Sequence, residues 1–141
     1  MPKEQGYEFI MAQWTANECH FTPLINFQAH GENAPSAMTV VYFDDLLETN
    51  KVALEMVEID VKMFKFEEAK FLIHLMKEYY LRSNEKNNDE KYSLLNTFNY
   101  LPHEFKHSEL IKQLEKDNIK IEQFKVAEQK QDQVISEEKK S

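Results

Sequence analysis

An α+β fold is predicted for this chain by three observations. Apolar residues alternate at every second position through much of the first sixty residues, the connection Thr15–Glu18 between the first two such stretches is short enough to require an antiparallel hairpin, and from Phe66 the apolar spacing changes to 3.6. The expected architecture is a mainly antiparallel sheet of about four or five strands, with a main helix and two shorter helices packed on it.

The clearest alternation is Cys19-His20-Phe21-Thr22-Pro23-Leu24-Ile25-Asn26-Phe27-Gln28, where Phe21, Pro23, Ile25 and Phe27 share one side. It reads as a strand with one buried face. Pro23 has no donor for a ladder, which places it at an outward edge or a bulge. The preceding stretch, Gly6 to Trp14, is separated from it by Thr15-Ala16-Asn17-Glu18, so the two form an aromatic hairpin. Ala29 to Ala37 contains Gly31 and Pro35 and reads as a loop. Met38 to Phe43 is a β-branched and aromatic strand. Asp44 and Asp45 suit the start of a helical turn over Leu46 to Thr49, which Asn50 would end in the left-handed conformation. Val52 to Val61 is a fourth strand whose alternation slips, because Val52, Leu54 and Met56 take one parity and Val57, Ile59 and Val61 the other. A bulge near Met56-Val57 would account for that.

The main helix runs from Phe66 to about Arg82, with Ala69, Leu72, Ile73, Met76, Tyr79 and Tyr80 on its apolar side and Lys70, His74, Lys77 and Glu78 opposite. Ser83 to Asp89 is a polar loop. Tyr92, Leu94, Leu95 and Phe98 mark a second helix that stops before Pro102, and Pro102 suits the first turn of a third, from His103 to about Asp117. Ile119, Ile121 and Phe124 suggest a last strand or extended segment. One domain over residues 1–126 and a polar, disordered tail over 127–141 are expected.

Composition narrows the function classes. A chain of 141 residues can bury about two thirds of its unfolded surface. Its 42% hydrophobic and 12% aromatic content favours a folded globule, and 30% charged residues with a mean hydropathy of -0.64 favour a soluble one. A net charge of -8 and a pI near 5.1 disfavour nucleic acid or an anionic membrane as partner, since both require phosphate neutralisation. No apolar run is long enough to insert in a membrane. The single Cys19 excludes an internal disulfide and reads as a buried thiol. The amino terminus, Met1 to Gln5, resembles neither a signal peptide nor a basic presequence.

Motifs for catalysis or cofactors are sparse. Two glycines cannot build a phosphate loop or a dinucleotide fingerprint. His103 and His107 have the four-residue spacing of zinc ligands, but the glutamate and third ligand of a metalloprotease are missing, so a solvated helix face is the better reading. Cys19 and His20 are adjacent in a strand and point to opposite faces, a poor geometry for a thiolate pair. Asp44-Asp45 and Glu67-Glu68 are explained by helix starts, where a carboxylate contributes about 0.3–1 kcal/mol. The expectation is therefore no catalytic residue, no metal and no cofactor. Tyr7, Phe9, Ile10, Met11 and Trp14 make both sides of the first strand apolar, and an exposed patch there would be a protein-binding surface. Two other classes stay open: a small-ligand domain with a closed apolar cavity, and a hydrolase in which His20, His30 or His74 meets a carboxylate and a nucleophile.

Several separated blocks resemble one family. Gly6-Tyr7-Glu8-Phe9, Gln13-Trp14, His20-Phe21-Thr22-Pro23-Leu24-Ile25-Asn26, Glu67-Glu68-Ala69, Asn96-Thr97-Phe98-Asn99, Glu104-Phe105-Lys106 and Leu114-Glu115 are similar, in order and spacing, to the mitochondrial ATP synthase assembly chaperones that act on the β subunit of the catalytic head. The likeness extends from about Pro2 to Phe124. It implies an α+β matrix protein that holds newly imported β subunit, keeps its α-facing surface from aggregating and releases it when α arrives. Family members carry a presequence and a helical region ahead of the Gly-Tyr-Glu-Phe block, so the matrix location comes from the resemblance alone. The chaperone is expected to be monomeric, and β to contact Tyr7, Phe9, Ile10, Met11 and Trp14 together with His30, Asn33 and Pro35.

Overall fold

The computed structural model describes residues 1–80 and 88–125. The polar loop expected from residue 83 and the tail expected at 127–141 fall outside the described residues, except that Asn88 and Asp89 already belong to a helix. The described residues form five α-helices, a four-stranded antiparallel sheet and a two-stranded one, the α+β class the sequence predicts. Two compact units divide the chain, one spanning Met1–Ala69 and the other starting at Lys70.

The first unit begins with a small hairpin, β1 (Pro2–Lys3) and β2 (Gly6–Tyr7), which turns at Glu4-Gln5 and enters β2 through Gly6 at φ +89. That conformation is open to glycine at little cost. The expected first strand is thereby divided, and only β3 (Ile10–Thr15) joins the main sheet. β3 pairs with β4 (Glu18–Pro23), β4 with β5 (Met38–Phe43), and β5 with β6 (Leu54–Ile59).

The strand expected over Cys19–Gln28 ends at Pro23, and Leu24–His30 is helix α1. Pairing explains the change. The ladder with β5 stops at Phe21↔Met38 and the ladder with β3 stops at Ile10↔Pro23, so among the described residues no strand lies on either side beyond Pro23. Leu24 N–H takes one last bond, to Phe9 O at 2.8 Å, and the following backbone groups are then satisfied within a helix. Ile25 is consequently 72% exposed, where alternation had put it in the core. Pro23 is neither at an edge nor in a bulge; it is the buried last residue of a central strand, past the end of its β5 ladder. Gly31, at φ 59 and ψ -138, closes α1 by donating its N–H to Phe27 O, so the expected loop from Ala29 starts two residues later with a 3-10 turn, Gly31–Asn33.

Helix α2 covers Leu47–Asn50, and Lys51 rather than Asn50 takes the left-handed position, with its N–H on Leu47 O. No bulge interrupts β6. Six consecutive pairs, from Met38↔Ile59 to Phe43↔Leu54, run without a slip. The mixed parity that suggested a bulge is two apolar faces: Val57 and Ile59 lie opposite the buried Val40 and Met38, whereas Leu54 and Met56 lie opposite Phe43 and Val41 on the other side of the sheet.

Helix α3 (Phe66–Tyr80) starts with Glu68, whose Oε1 accepts the Lys65 N–H at 3.0 Å in half of a capping box, while Oε2 accepts from Lys3 Nζ at 2.7 Å. Burial raises the Glu68 pKa, but those two donors outweigh it and hold the carboxyl below its ordinary value. In the second unit, α3 is followed by α4 (Asn88–Tyr100) and α5 (His107–Asp117). Pro102 belongs to a turn and does not open the third helix. Phe105 packs edge-on against Phe98 at 5.1 Å, which holds the chain off helical geometry until His107. Asn118, at φ 53, ends α5, and Ile121–Phe124 forms a 3-10 turn instead of a strand, placing the Phe124 ring against Phe71 and His74.

One buried cation joins the three helices of this unit. Lys91 of α4 lies 3.1 Å from Glu78 of α3 and 3.1 Å from Asp117 of α5, with its side chain 3% exposed. Burial lowers its pKa, yet the two carboxylates more than compensate, so the ammonium is favoured. Tyr79 is pushed up to about 12, by burial first and then by the Asp117 charge.

Ala16 sits at φ 52 in the two-residue turn between β3 and β4, a region that costs a side-chain-bearing residue about 1–2 kcal/mol. Ala16→Gly is expected to raise stability by about 0.5–1 kcal/mol in urea unfolding, after the added freedom of the unfolded chain is subtracted. Lys91→Met leaves two partly or fully buried carboxylates without their cation and should cost about 3 kcal/mol. The same change at Lys116, whose pair with Glu90 is half exposed, should cost less than about 1 kcal/mol.

Candidate functional site

The register assigns every sheet side chain to one of two faces. One face carries Ile10, Ala12 and Trp14 of β3, Cys19, Phe21 and Pro23 of β4, Met38, Val40 and Tyr42 of β5, and Val57 and Ile59 of β6. Cys19, Phe21, Pro23, Met38 and Val40 are fully or almost fully buried, so this is the core face. Burial pushes the Cys19 thiol up to about 12, which makes it a packing group and a poor nucleophile. At the hairpin end of this face Trp14 stacks on Tyr42 with ring centroids 6.0 Å apart, and Tyr42 donates its hydroxyl to Glu55 at 2.6 Å. Burial and the Glu55 carboxylate both hold the Tyr42 phenol in its neutral form.

The opposite face is divided. Across β3 and β4 it is polar, with Gln13, Thr15, Glu18, His20 and Thr22. Across β5 and β6 it is apolar toward one end, with Val41, Phe43, Leu54 and Met56, and polar at the other, with Thr39 opposite Glu58. Phe43, Leu54 and Met56 are 40%, 52% and 43% exposed, and Leu46, Leu47 and Val52 in the connection between the strands are exposed to a similar degree. Such a concentration of open apolar side chains is suited to a protein partner. The parity slip in Val52–Val61 was the sequence signal for it, since a strand with two apolar parities either has both faces covered or offers one of them outward.

The eight residues expected to contact a partner do not form one patch. Ile10 and Trp14 belong to the core face, Met11 to the other, and Tyr7 to the separate small hairpin. Tyr7 and Trp14 are exposed, whereas Phe9, Ile10 and Met11 are half-buried. His30 ends α1, Asn33 ends the 3-10 turn and Pro35 follows it, all three exposed.

Of His20, His30 and His74, the three histidines a hydrolase could use, His20 has both a hydroxyl and a carboxylate within reach. Its Nδ1 lies 3.1 Å from Ser36 Oγ and 3.3 Å from Thr39 Oγ1, and its Nε2 lies 3.1 Å from Glu18 Oε2. A hydroxyl, an imidazole and a carboxylate are thus in line, but the ring is reversed relative to a catalytic triad, in which the carboxylate holds Nδ1 and the nucleophile meets Nε2. A second hydroxyl shares Nδ1, and Glu18 is two residues away on the same strand. The cluster fastens the segment before β5 to β4. Ser36→Ala is accordingly expected to cost about 0.5–1.5 kcal/mol of stability. It should leave hydrolysis of an activated ester at the parent level; a serine-dependent acyl burst would instead establish catalysis.

His103 lies in the turn before α5 and His107 is the first residue of that helix, so they share no helical face. The His107 ring packs edge-on to Phe105 at 5.3 Å. No group of three or more possible metal ligands occurs among the described residues. An open groove between α4 and α5, lined by Leu94, Thr97, Phe105, Lys112, Gln113 and Lys116 among others, lacks the enclosure of a small-ligand site. No described helix is long and apolar enough to cross a membrane.

Comparison with known proteins supplies what geometry alone does not. Residues 1–111 match the ATP11 protein family. The chain is 38% identical over 119 residues to a zebrafish (Danio rerio) protein named ATP synthase mitochondrial F1 complex assembly factor 1, covering 84% of this chain and 38% of that protein. It is 34% identical over 122 residues to the proteins of the same name from Homo sapiens and Mus musculus, covering 86% of this chain and 36% of each. The chain therefore spans a little over a third of the length of these curated relatives.

Proposed function

This chain belongs to the ATP11 protein family, and we propose that it is an assembly factor for the F1 complex of mitochondrial ATP synthase, acting by binding and without catalysis. The observation that carries this reading is its 38% identity, over 84% of its length, to a protein named for that role. Residues 1–126 act as one assembly module in the mitochondrial matrix. The module captures unassembled β subunit, masks the surface that later faces α, and releases β as α takes that place.

The physical character of the domain supports a holding role. Its net charge of -8 keeps it soluble while it exposes apolar side chains, including Phe43, Leu54 and Met56. A chaperone must also bind weakly enough to be displaced, which a patch of modest size with half-exposed members allows. Tyr7, Phe9, Ile10, Met11, Trp14, His30, Asn33 and Pro35 are proposed to add contacts to the client where they reach the surface.

Immobilised chain presented with separately expressed α and β subunits is expected to retain β and not α, and to release β when excess α is added. Capture of neither subunit by folded chain would overturn the reading. Capture of α alone would reassign the client.

A further inference from the structure

We infer that the outer edge of β6 is a strand-addition site, which takes an extended, apolar segment bearing lysine or arginine from an unassembled client. This rests on the proposed assembly role and assigns the surface that performs it. β6 is the last strand of the sheet, with no strand beyond it among the described residues. The phase of its ladder is fixed by the Asp60 N–H bond to Ala37 O at 2.8 Å. With regular alternation, Leu54, Met56 and Glu58 direct their backbone groups to β5, and Val57 and Ile59 direct theirs away from the sheet. An incoming strand would find those groups along one margin and the exposed Leu54, Met56 and Phe43 side chains on the adjoining face.

Charge selects the occupant. From Phe43 to Asp60 the sequence carries Asp44, Asp45, Glu48, Glu55, Glu58 and Asp60 against Lys51 alone. Pairing β6 with β6 of a second copy would bring two copies of this acidic run together, and repulsion between like charges destabilises such a pair. The same acidity that discourages self-association favours a basic strand. Glu55 already accepts the Tyr42 hydroxyl, which holds its carboxylate in place at the strand margin. A basic apolar segment gains main-chain hydrogen bonds, apolar cover and charge complementarity together, and it leaves when its own assembly partner offers more.

Two variants separate the edge from the face. Val57→Pro removes an outward N–H and should spare the β5 ladder, as proline is tolerated at such edge positions. Leu54→Glu with Met56→Glu removes the apolar face and deepens the acidity. Circular dichroism melts should stay near the parent, and capture of β subunit by the full chain should fall by about tenfold for each variant. Raising salt should weaken capture by the parent. A photo-crosslinking residue at position 54 should mark a client peptide containing lysine or arginine; the same residue at the exposed position 25 should not. Undiminished capture by both folded variants overturns this inference and leaves the assembly role standing. Crosslinking of position 54 to residues 126–141 or to a second copy overturns it in favour of that occupant. Failure of the parent chain to capture β overturns the assembly role and this inference with it.

Discussion

The pairing of β4 with β5 is the constraint on which the first unit depends. Cys19↔Val40 and Phe21↔Met38 bring four buried side chains together at the centre of the sheet, and β3 and β6 extend the same faces outward. A side-chain period of two leaves no freedom: a shift of β4 by one residue against β5 would turn Cys19 and Phe21 away from the face of Met38 and Val40 and bring His20 to the core side in their place. Each buried hydrocarbon side chain contributes about 1.5–3 kcal/mol, enough for this register to dominate any alternative. The two-residue turn at Ala16-Asn17 reinforces it, since Asn17 receives the Tyr42 N–H on its own carbonyl and donates its side-chain amide to Tyr42 O.

The second unit obeys a different rule. Its helices expose long polar faces, and three of them meet around Lys91. A buried ammonium is tolerated only while its carboxylates are in place, which makes this interaction more specific than stabilising. Around it, Phe71, Phe124 and His74 form one aromatic contact set and Phe98, Phe105 and His107 another. The family blocks at 96–99 and 104–106 fall on this second set, so part of the sequence likeness records packing.

The proposed assembly role agrees with the physical character of β6. Protein-holding surfaces need apolar contact without self-aggregation, and β6 combines exposed Leu54 and Met56 with Glu55 and Glu58 in a single strand. Acidic edges of this kind prevent pairing between like copies and leave a selected partner free to pair. The His20–Ser36–Glu18 cluster, which shares a sheet face with that apolar strip, instead serves to fix the chain leading into β5.

By itself the sequence determined the α+β class, the strand at Met38–Phe43, the main helix from Phe66, the end of α5 at Asp117 and the burial of Cys19. In each case a local period or a terminating residue carried the signal, and family resemblance supplied the assembly reading that no motif could. Only tertiary structure decided where pairing stopped. Leu24–Gln28 alternates like a strand and becomes helix because neither β3 nor β5 reaches beyond Pro23; Ile121–Phe124 turns because Phe124 has an aromatic seat beside Phe71. The apolar strip on β6 was visible as a slip of parity but not as a site, because alternation reports which residues share a face and says nothing of whether that face is covered. Coverage depends on neighbours distant in sequence, and these left Phe43, Leu54 and Met56 open while burying Met38 and Val40.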